Sequence, residues 1–365
     1  MTIPDIQSLD VFFRERKVGT LTMGVNSCCV FEYDKLWLTD GFSISPLKLP
    51  LQAGMMVADY QPFQGNFGIF EDSVPGGYGE YMLHKILGAK KVAYRSLSPL
   101  QRLAIVGSAG MGALCYKPDI KILDEQPAAT LDELQEMALQ VLSEKTEEHV
   151  GRLYLSSGNS GGARPKALFS DAQGHWMVKF RHTYDPTNIG VIEYRYNQAA
   201  QACGISVPAF QLMEGKYFAE KRYDVEDGQR LHVATAAGLL NETIFPPKMD
   251  YYTLLQLTGY LTQDPEQVEQ QFRRMCFNVY AENMDDHARN FSFICRNGKW
   301  TLSPAYDLTN DRTLGEHATT ANGNGRPTDE DLIAVGTSIH ISRPRCQEIM
   351  AQVRPIATDL LHDVL

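Results

Sequence analysis

Three side chains carry the clearest chemistry in this sequence: Asp285, Asn290 and Asp307. They offer two carboxylates and one amide carbonyl, hard oxygen donors of the kind magnesium prefers. Asp285 and Asn290 lie in the run Asn283-Met284-Asp285-Asp286-His287-Ala288-Arg289-Asn290, and Asp307 ends Pro304-Ala305-Tyr306-Asp307. Between them stand two apolar runs, Phe291-Ser292-Phe293-Ile294 and Lys299-Trp300-Thr301-Leu302, around Asn297-Gly298. Asn-Gly between such runs predicts a tight β-hairpin. Antiparallel pairing would then bring the entrance and exit together, with Asp307 close to Asp285 and Asn290. Singly, each of the three is an ordinary turn or cap residue. Together and in this order they point to a metal-assisted site.

The spacing matches phosphoryl transfer as protein kinases perform it. There an Asp accepts the proton of the attacking hydroxyl, an Asn about five residues later binds metal, and a further Asp binds the metal on the phosphates. Asp285 is then the catalytic carboxylate, with Asn290 and Asp307 as magnesium ligands. Such chemistry needs a phosphate-holding loop, and Ser156-Ser157-Gly158-Asn159-Ser160-Gly161-Gly162-Ala163-Arg164-Pro165-Lys166 has the required small residues. Few side chains there would obstruct backbone N–H groups from approaching phosphates. It also reads as a plain linker when taken alone, and it lacks the Walker A frame. Lys179, on the apolar strand Met177-Val178-Lys179-Phe180, either snorkels to solvent or reaches phosphates with Glu193 of the next helix as partner. In series with the loop and the Asp285 cluster, the phosphate reading is favoured. His287 has no second His or Cys nearby in sequence and reads as ordering the catalytic loop. Gly107-Ser108-Ala109-Gly110-Met111-Gly112 lacks dinucleotide-loop spacing and reads as a turn.

The elements that must position these groups follow from periodicity. Val11-Phe12-Phe13 and Val18-Gly19-Thr20-Leu21 predict a hairpin, and Val30-Phe31-Glu32-Tyr33 and Phe42-Ser43-Ile44-Ser45 further strands. Residues 78–87 read as a helix. Thr130 with Glu133 forms a capping-box pattern before apolar residues at helical spacing (Leu131, Leu134, Met137, Ala138, Val141, Leu142), read as a bridging helix. Leu153-Tyr154-Leu155, Ala167-Leu168-Phe169, residues 176–180 and Tyr217-Phe218-Ala219-Glu220 read as strands, interrupted by a helix over 191–203. Asp264-Pro265 starts a long helix, and 318–331, rich in Thr, Asn and Gly, reads as a mobile loop. The segmentation expected is 1–118, an N-terminal α+β module; 119–150, bridging helix and linker; 151–245, nucleotide-binding; and 246–365, mainly helical and catalytic.

Composition narrows the class. Hydrophobic residues are 44% and charged residues 21%, as in soluble globular proteins. No apolar run is long enough to span a membrane, and the N-terminus lacks a signal-peptide pattern. The 7 cysteines form no C-x-x-C pair, which predicts reduced thiols in a cytoplasm rather than a disulfide or zinc framework. A net charge of −10 argues against stand-alone nucleic-acid binding, which depends on Lys and Arg.

The motif Asp285-Asp286-His287-Ala288-Arg289-Asn290-Phe291-Ser292, with Val18-Gly19-Thr20-Leu21, Leu47-Lys48-Leu49-Pro50-Leu51 and Gly112-Ala113-Leu114, resembles the HipA family of serine/threonine kinases, toxins of bacterial toxin–antitoxin pairs. The resemblance covers nearly the whole chain. It implies an α+β, two-lobed protein-kinase-like fold with a mostly helical C-terminal lobe. It also implies ATP and Mg²⁺ as cofactors. ATP would lie against Gly161, Gly162, Ala163, Arg164, Lys166, Lys179 and the backbone of Lys221-Arg222-Tyr223, with Glu193 and His287 contributing to that site. Family members autophosphorylate a serine of the glycine-rich loop, which expels the loop and shuts the enzyme down; Ser160 and Ser157 are the candidates here. The implied partners are a small helix-turn-helix antitoxin and a protein substrate, an aminoacyl-tRNA synthetase or translation factor. The alternatives are a small-molecule or lipid kinase, and a nucleotide-binding pseudokinase that regulates with a DNA-binding partner.

Overall fold

The computed structural model describes residues 3–124, 129–157, 161–244, 246–311 and 315–362. They form two compact units, Met1–Gly190 with Met213–His232, and Val191–Leu212 with Val233–Leu365. Among the described residues no helix is long and apolar enough to cross a membrane.

In the first unit the predicted hairpin is Ser8–Phe13 with Arg16–Met23, and it sits in a five-stranded antiparallel sheet. Alternation along these strands turns Leu9, Val11, Leu21 and Phe31 fully inward. Phe42–Ser45 was expected to continue the strands and does not. Only Ser45 makes a bridge, to Leu49. Side chains take over the backbone there: Trp37 Nε1 donates to the Phe42 carbonyl at 2.9 Å, and the Tyr33 hydroxyl to that of Leu49 at 2.6 Å.

The strands that position the expected phosphate lysines are Lys166–Asp171, Gly174–Lys179 and Tyr217–Lys221, adjacent in that order. Lys166 pairs with Lys179, Ala167 with Val178, and Val178 with Ala219. Strand alternation therefore puts Ala167, Trp176, Val178 and Ala219 on one face. They share a core with Tyr78, Met82 and Ile86 of the helix Tyr78–Ala89 and with Leu134, Ala138 and Val141 of Leu131–Leu142. The capping box of Thr130 and Glu133 is present as expected. The helix it starts is part of this core. Leu153-Tyr154-Leu155, expected as a strand, lies in the helix Val150–Ser157, where Val150, Leu153, Tyr154 and Ser157 are buried at helical spacing.

His232 is fully buried in this unit, and its Nε2 meets the Ile44 carbonyl at 2.8 Å. Burial pushes its pKa down to about 4, partly offset by that carbonyl. The unfolded chain therefore takes up a proton first. The stability this group contributes is complete above the usual histidine value and is lost as pH falls towards about 4. Moving from pH 7 to pH 5 should cost about 2 kcal/mol through this residue. Urea midpoints at the two pH values should differ less in His232→Gln; an equal difference would contradict the assignment.

In the second unit Asp264 caps the helix Pro265–Tyr280 through its bond from Glu266 N at 3.0 Å, with Pro265 at the first helical position. Phe272, Met275 and Cys276 point inward, and the helix packs against Tyr251–Thr262 and Arg343–Leu361. The expected hairpin is present as Ser292–Arg296 with Lys299–Leu302. Asn297 (φ 52°) and Gly298 (φ 83°) supply the two left-handed residues that its turn requires. Residues 318–331, expected to be a mobile loop, are tied down instead. Ala318 N bonds the Met284 carbonyl at 3.1 Å and Tyr251 N that of Thr320 at 2.8 Å. Asp331 collects the amides of Asn322 and Asn324, each at 3.0 Å.

Candidate active site

The hairpin does bring its two ends together. Ser303 N bonds the Ser292 carbonyl at 3.0 Å, one step beyond the last strand pair. The Tyr306 hydroxyl then donates to the Arg289 carbonyl at 2.7 Å and shares a 2.5 Å bond with Ser292 Oγ. Tyr306 thus fastens the segment carrying Asp307 to the segment carrying Asn290. Asp307 has φ 55°, a left-handed conformation that a non-glycine residue adopts only when its surroundings hold it there.

Within the loop, Asn290 Nδ2 donates to the Asp285 carbonyl at 2.7 Å. A carbonyl only accepts, so this bond fixes the amide orientation and leaves Oδ1 as the group's acceptor. His287 caps the short 3₁₀ turn Ala288–Asn290, its Nδ1 accepting from Arg289 N at 3.2 Å. The ring proton then sits on Nε2, 3.6 Å from Asp285 Oδ1. Burial lowers the His287 pKa, against an opposing pull from Asp307. His287 is thus a neutral ring that touches Asp285 and feels the charge of Asp307. Its bond from Arg289 N caps the turn that carries Asn290.

Among the described residues no group of three or more His, Cys, Asp or Glu could hold a metal. Asn290 and Asp307 offer one amide oxygen and one carboxylate, a smaller donor set. Magnesium takes one or two protein oxygens and fills its remaining positions with water and phosphate oxygens.

In the first unit Lys166 and Lys179, cross-strand partners, share the sheet face opposite the core and are both buried. Glu220, paired with Met177, faces the same way and is also buried. Lys166 Nζ bonds the Gly161 carbonyl, and Lys179 Nζ lies 5.5 Å from the Phe218 ring centre. The Arg164 guanidinium grips Asp185 with Nε at 3.0 Å and Nη2 at 3.0 Å. Lys221 pairs with Trp176, so its side chain leaves from the face opposite Lys179; it lies over Gly174, where a Cβ would meet its Cε at 2.7 Å. Tyr223 follows Arg222, which forms a 2.7 Å ion pair with Asp224. Ala163 is exposed. Glu193 is buried near the start of the helix Ile189–Ala202 and belongs to the second unit. Ser157 is buried, with its hydroxyl on the Tyr154 carbonyl at 3.1 Å, while Ser160 lies outside the described residues. The loop at 107–112 is clamped rather than open: Gly112 N bonds Asp224 Oδ2 at 3.0 Å, and Arg230 Nη2 bonds the Ser108 carbonyl at 2.8 Å.

The residue that sequence reasoning passed over is Asp286. It is buried, and Oδ2 accepts from the Tyr251 hydroxyl at 2.7 Å and meets His317 Nδ1 at 3.0 Å; Oδ1 accepts from Thr319 N at 3.1 Å. Asn278 Nδ2 donates to Tyr251 at 2.9 Å and Asn283 Nδ2 to Asn278 at 3.0 Å. Burial, followed by the Asp286 charge, raises the Tyr251 pKa well above its ordinary value. This network fixes the backbone immediately after Asp285. Two adjacent Asp residues were the only local hint of it.

Residues 158–360 match the family model for the HipA-like C-terminal domain, and residues 9–117 match the HipA N-terminal domain. No curated protein matches. Among solved structures, the Shewanella oneidensis MR-1 toxin–antitoxin HipA, in complex with HipB and operator DNA, is 16% identical with a TM-score of 0.72. The match covers 98% of this chain and 90% of that one. A Helicobacter pylori proinflammatory kinase, CtkA, is 14% identical with a TM-score of 0.37, over 54% of this chain and 90% of that one. With both domain models spanning most of its length and the fold of a solved HipA, this α+β, kinase-like chain belongs to the HipA family.

Proposed function

We propose that this protein is an ATP-dependent serine/threonine protein kinase acting on a cellular protein of the translation machinery, in partnership with a small helix-turn-helix antitoxin. The observation that supports the reading is the pair of Tyr306 hydroxyl bonds, to the Arg289 carbonyl and Ser292 Oγ, which tie the segment carrying Asp307 to the one carrying Asn290. Asp285 accepts the proton of the attacking hydroxyl, with the neutral His287 ring beside it, Nε2 3.6 Å from Oδ1. Asn290 Oδ1 and the Asp307 carboxylate would hold magnesium, which when bound would neutralise charge on the phosphates. Lys166 and Lys179 supply positive charge for the phosphates from one buried sheet face. The partner is proposed because the Shewanella HipA is seen with HipB and operator DNA. A chain of net charge −10 would reach DNA through such a partner.

The test is incubation with labelled ATP, Mg²⁺ and a cell extract. Label is expected in acid-precipitable protein; label found only in the small-molecule fraction would overturn the protein-kinase reading.

Autophosphorylation is proposed at Ser160, since Ser157 is buried within a helix. Phosphopeptide mapping should find the phosphate on Ser160, and Ser160→Ala should remove it and prolong activity. A phosphate on Ser157 instead would contradict this. Two added negative charges would compete poorly for a site built to hold ATP phosphates.

A further inference from the structure

The glycine-rich loop is held by a part of the chain outside the kinase-like domain. The Tyr78 amide, first in the helix Tyr78–Ala89, donates to the Gly162 carbonyl at 2.9 Å. Gly77, just before it, has φ 53°, and a Cβ there would lie 2.4 Å from the same carbonyl oxygen and 3.1 Å from Ala163 Cα. Contact this close requires glycine on both counts. The neighbouring carbonyl, that of Gly161, is taken by Lys166 Nζ. Tyr78 also anchors the helix in the core shared with Ala167, Trp176 and Val178 of the lysine-bearing sheet. The latch and the lysines are therefore set on one framework.

Peptide planarity gives this latch a consequence. In a trans peptide the C=O and the following N–H point in opposite directions. With the Gly161 and Gly162 carbonyls drawn onto Lys166 and Tyr78, the amides of Gly162 and Ala163 are turned away from those donors. Two successive amides freed in this way, with Gly162 at φ 90°, are of the kind that can converge on an anion. We propose that Gly77 and the Tyr78 amide are positioning groups for nucleotide binding, by which the N-terminal domain presets the amides of the glycine-rich loop. This rests on the reading of that loop as the ATP phosphate loop.

The experiment compares wild type, Gly77→Ala and Gly88→Ala. Gly88 lies on the same helix with nothing within 4 Å of an added Cβ. In Gly77→Ala the dissociation constant and KM for ATP–Mg²⁺ should rise about tenfold or more, with kcat changed far less. Gly88→Ala should match wild type. A folded Gly77→Ala with wild-type ATP affinity would overturn the proposal. If Gly77→Ala does not fold, hydrogen exchange at the Tyr78 amide of wild type decides. The first amides of a helix have no partner within the helix, so protection there reports the bond to Gly162. Protection that increases with a non-hydrolysable ATP analogue supports the latch; exchange at the unprotected rate with and without the analogue refutes it. Wild type that binds no ATP would bring down the kinase reading itself, an outcome distinct from a latch failure on an ATP-binding protein.

Discussion

Asp286→Asn is expected to lower both stability and turnover, although Asp286 performs no chemistry. Its two oxygens accept from Tyr251, His317 and Thr319, which come from two separate stretches of chain. An Asn side chain must aim its NH₂ at one of those donors, leaving at least one buried group unsatisfied. Each such group costs about 1–3 kcal/mol. Asp286→Ala removes every acceptor and should cost more, about 3–5 kcal/mol. Asp285 is the adjacent residue, so loosening this anchor displaces the base. A displacement of about 1 Å can lower turnover by roughly a hundredfold. Denaturant midpoints and kcat measured together would check this. Tyr251→Phe should have a smaller effect, and the double variant should lose less than the sum, because both changes break the same bond. Asp286→Asn with wild-type stability and turnover would remove Asp286 from the account.

The contrast between these adjacent residues shows what could be read from the sequence and what could not. Local chemistry was legible. Asn297-Gly298 specified the hairpin turn, Asp264-Pro265 and Thr130 with Glu133 marked helix starts, and Asp285-x-x-x-x-Asn290 stood out by spacing. Each of these depends on residues a few positions apart. What escaped depends on partners far along the chain. Asp286 is buried because Tyr251 and His317 come to it from 35 and 31 residues away. Arg164 pairs with Asp185, 21 residues on, a partner that no local pattern announces. Leu153-Tyr154-Leu155 is apolar enough for a strand; only the wider spacing from Val150 to Ser157 reveals the helix. Polar residues at 318–331 suggested an untethered loop, since composition does not show that their side chains and amides find partners.

Asp285→Asn is the second large effect and bears on the central claim. Asn keeps the shape of the side chain but cannot take a proton from the attacking hydroxyl. Asp285 is half-buried, so the substitution neither opens a cavity nor overpacks a core. The change should therefore leave folding nearly intact. Positioned general bases contribute about 10²–10⁴-fold, so phosphoryl transfer should fall by that order while ATP binding persists. The measurement is incubation of purified wild type and Asp285→Asn with labelled ATP and Mg²⁺, following protein-bound label. The account predicts label on wild type that nearly vanishes in the folded, ATP-binding variant. Equal labelling of the two, or a wild type that binds ATP and never transfers label, would contradict it.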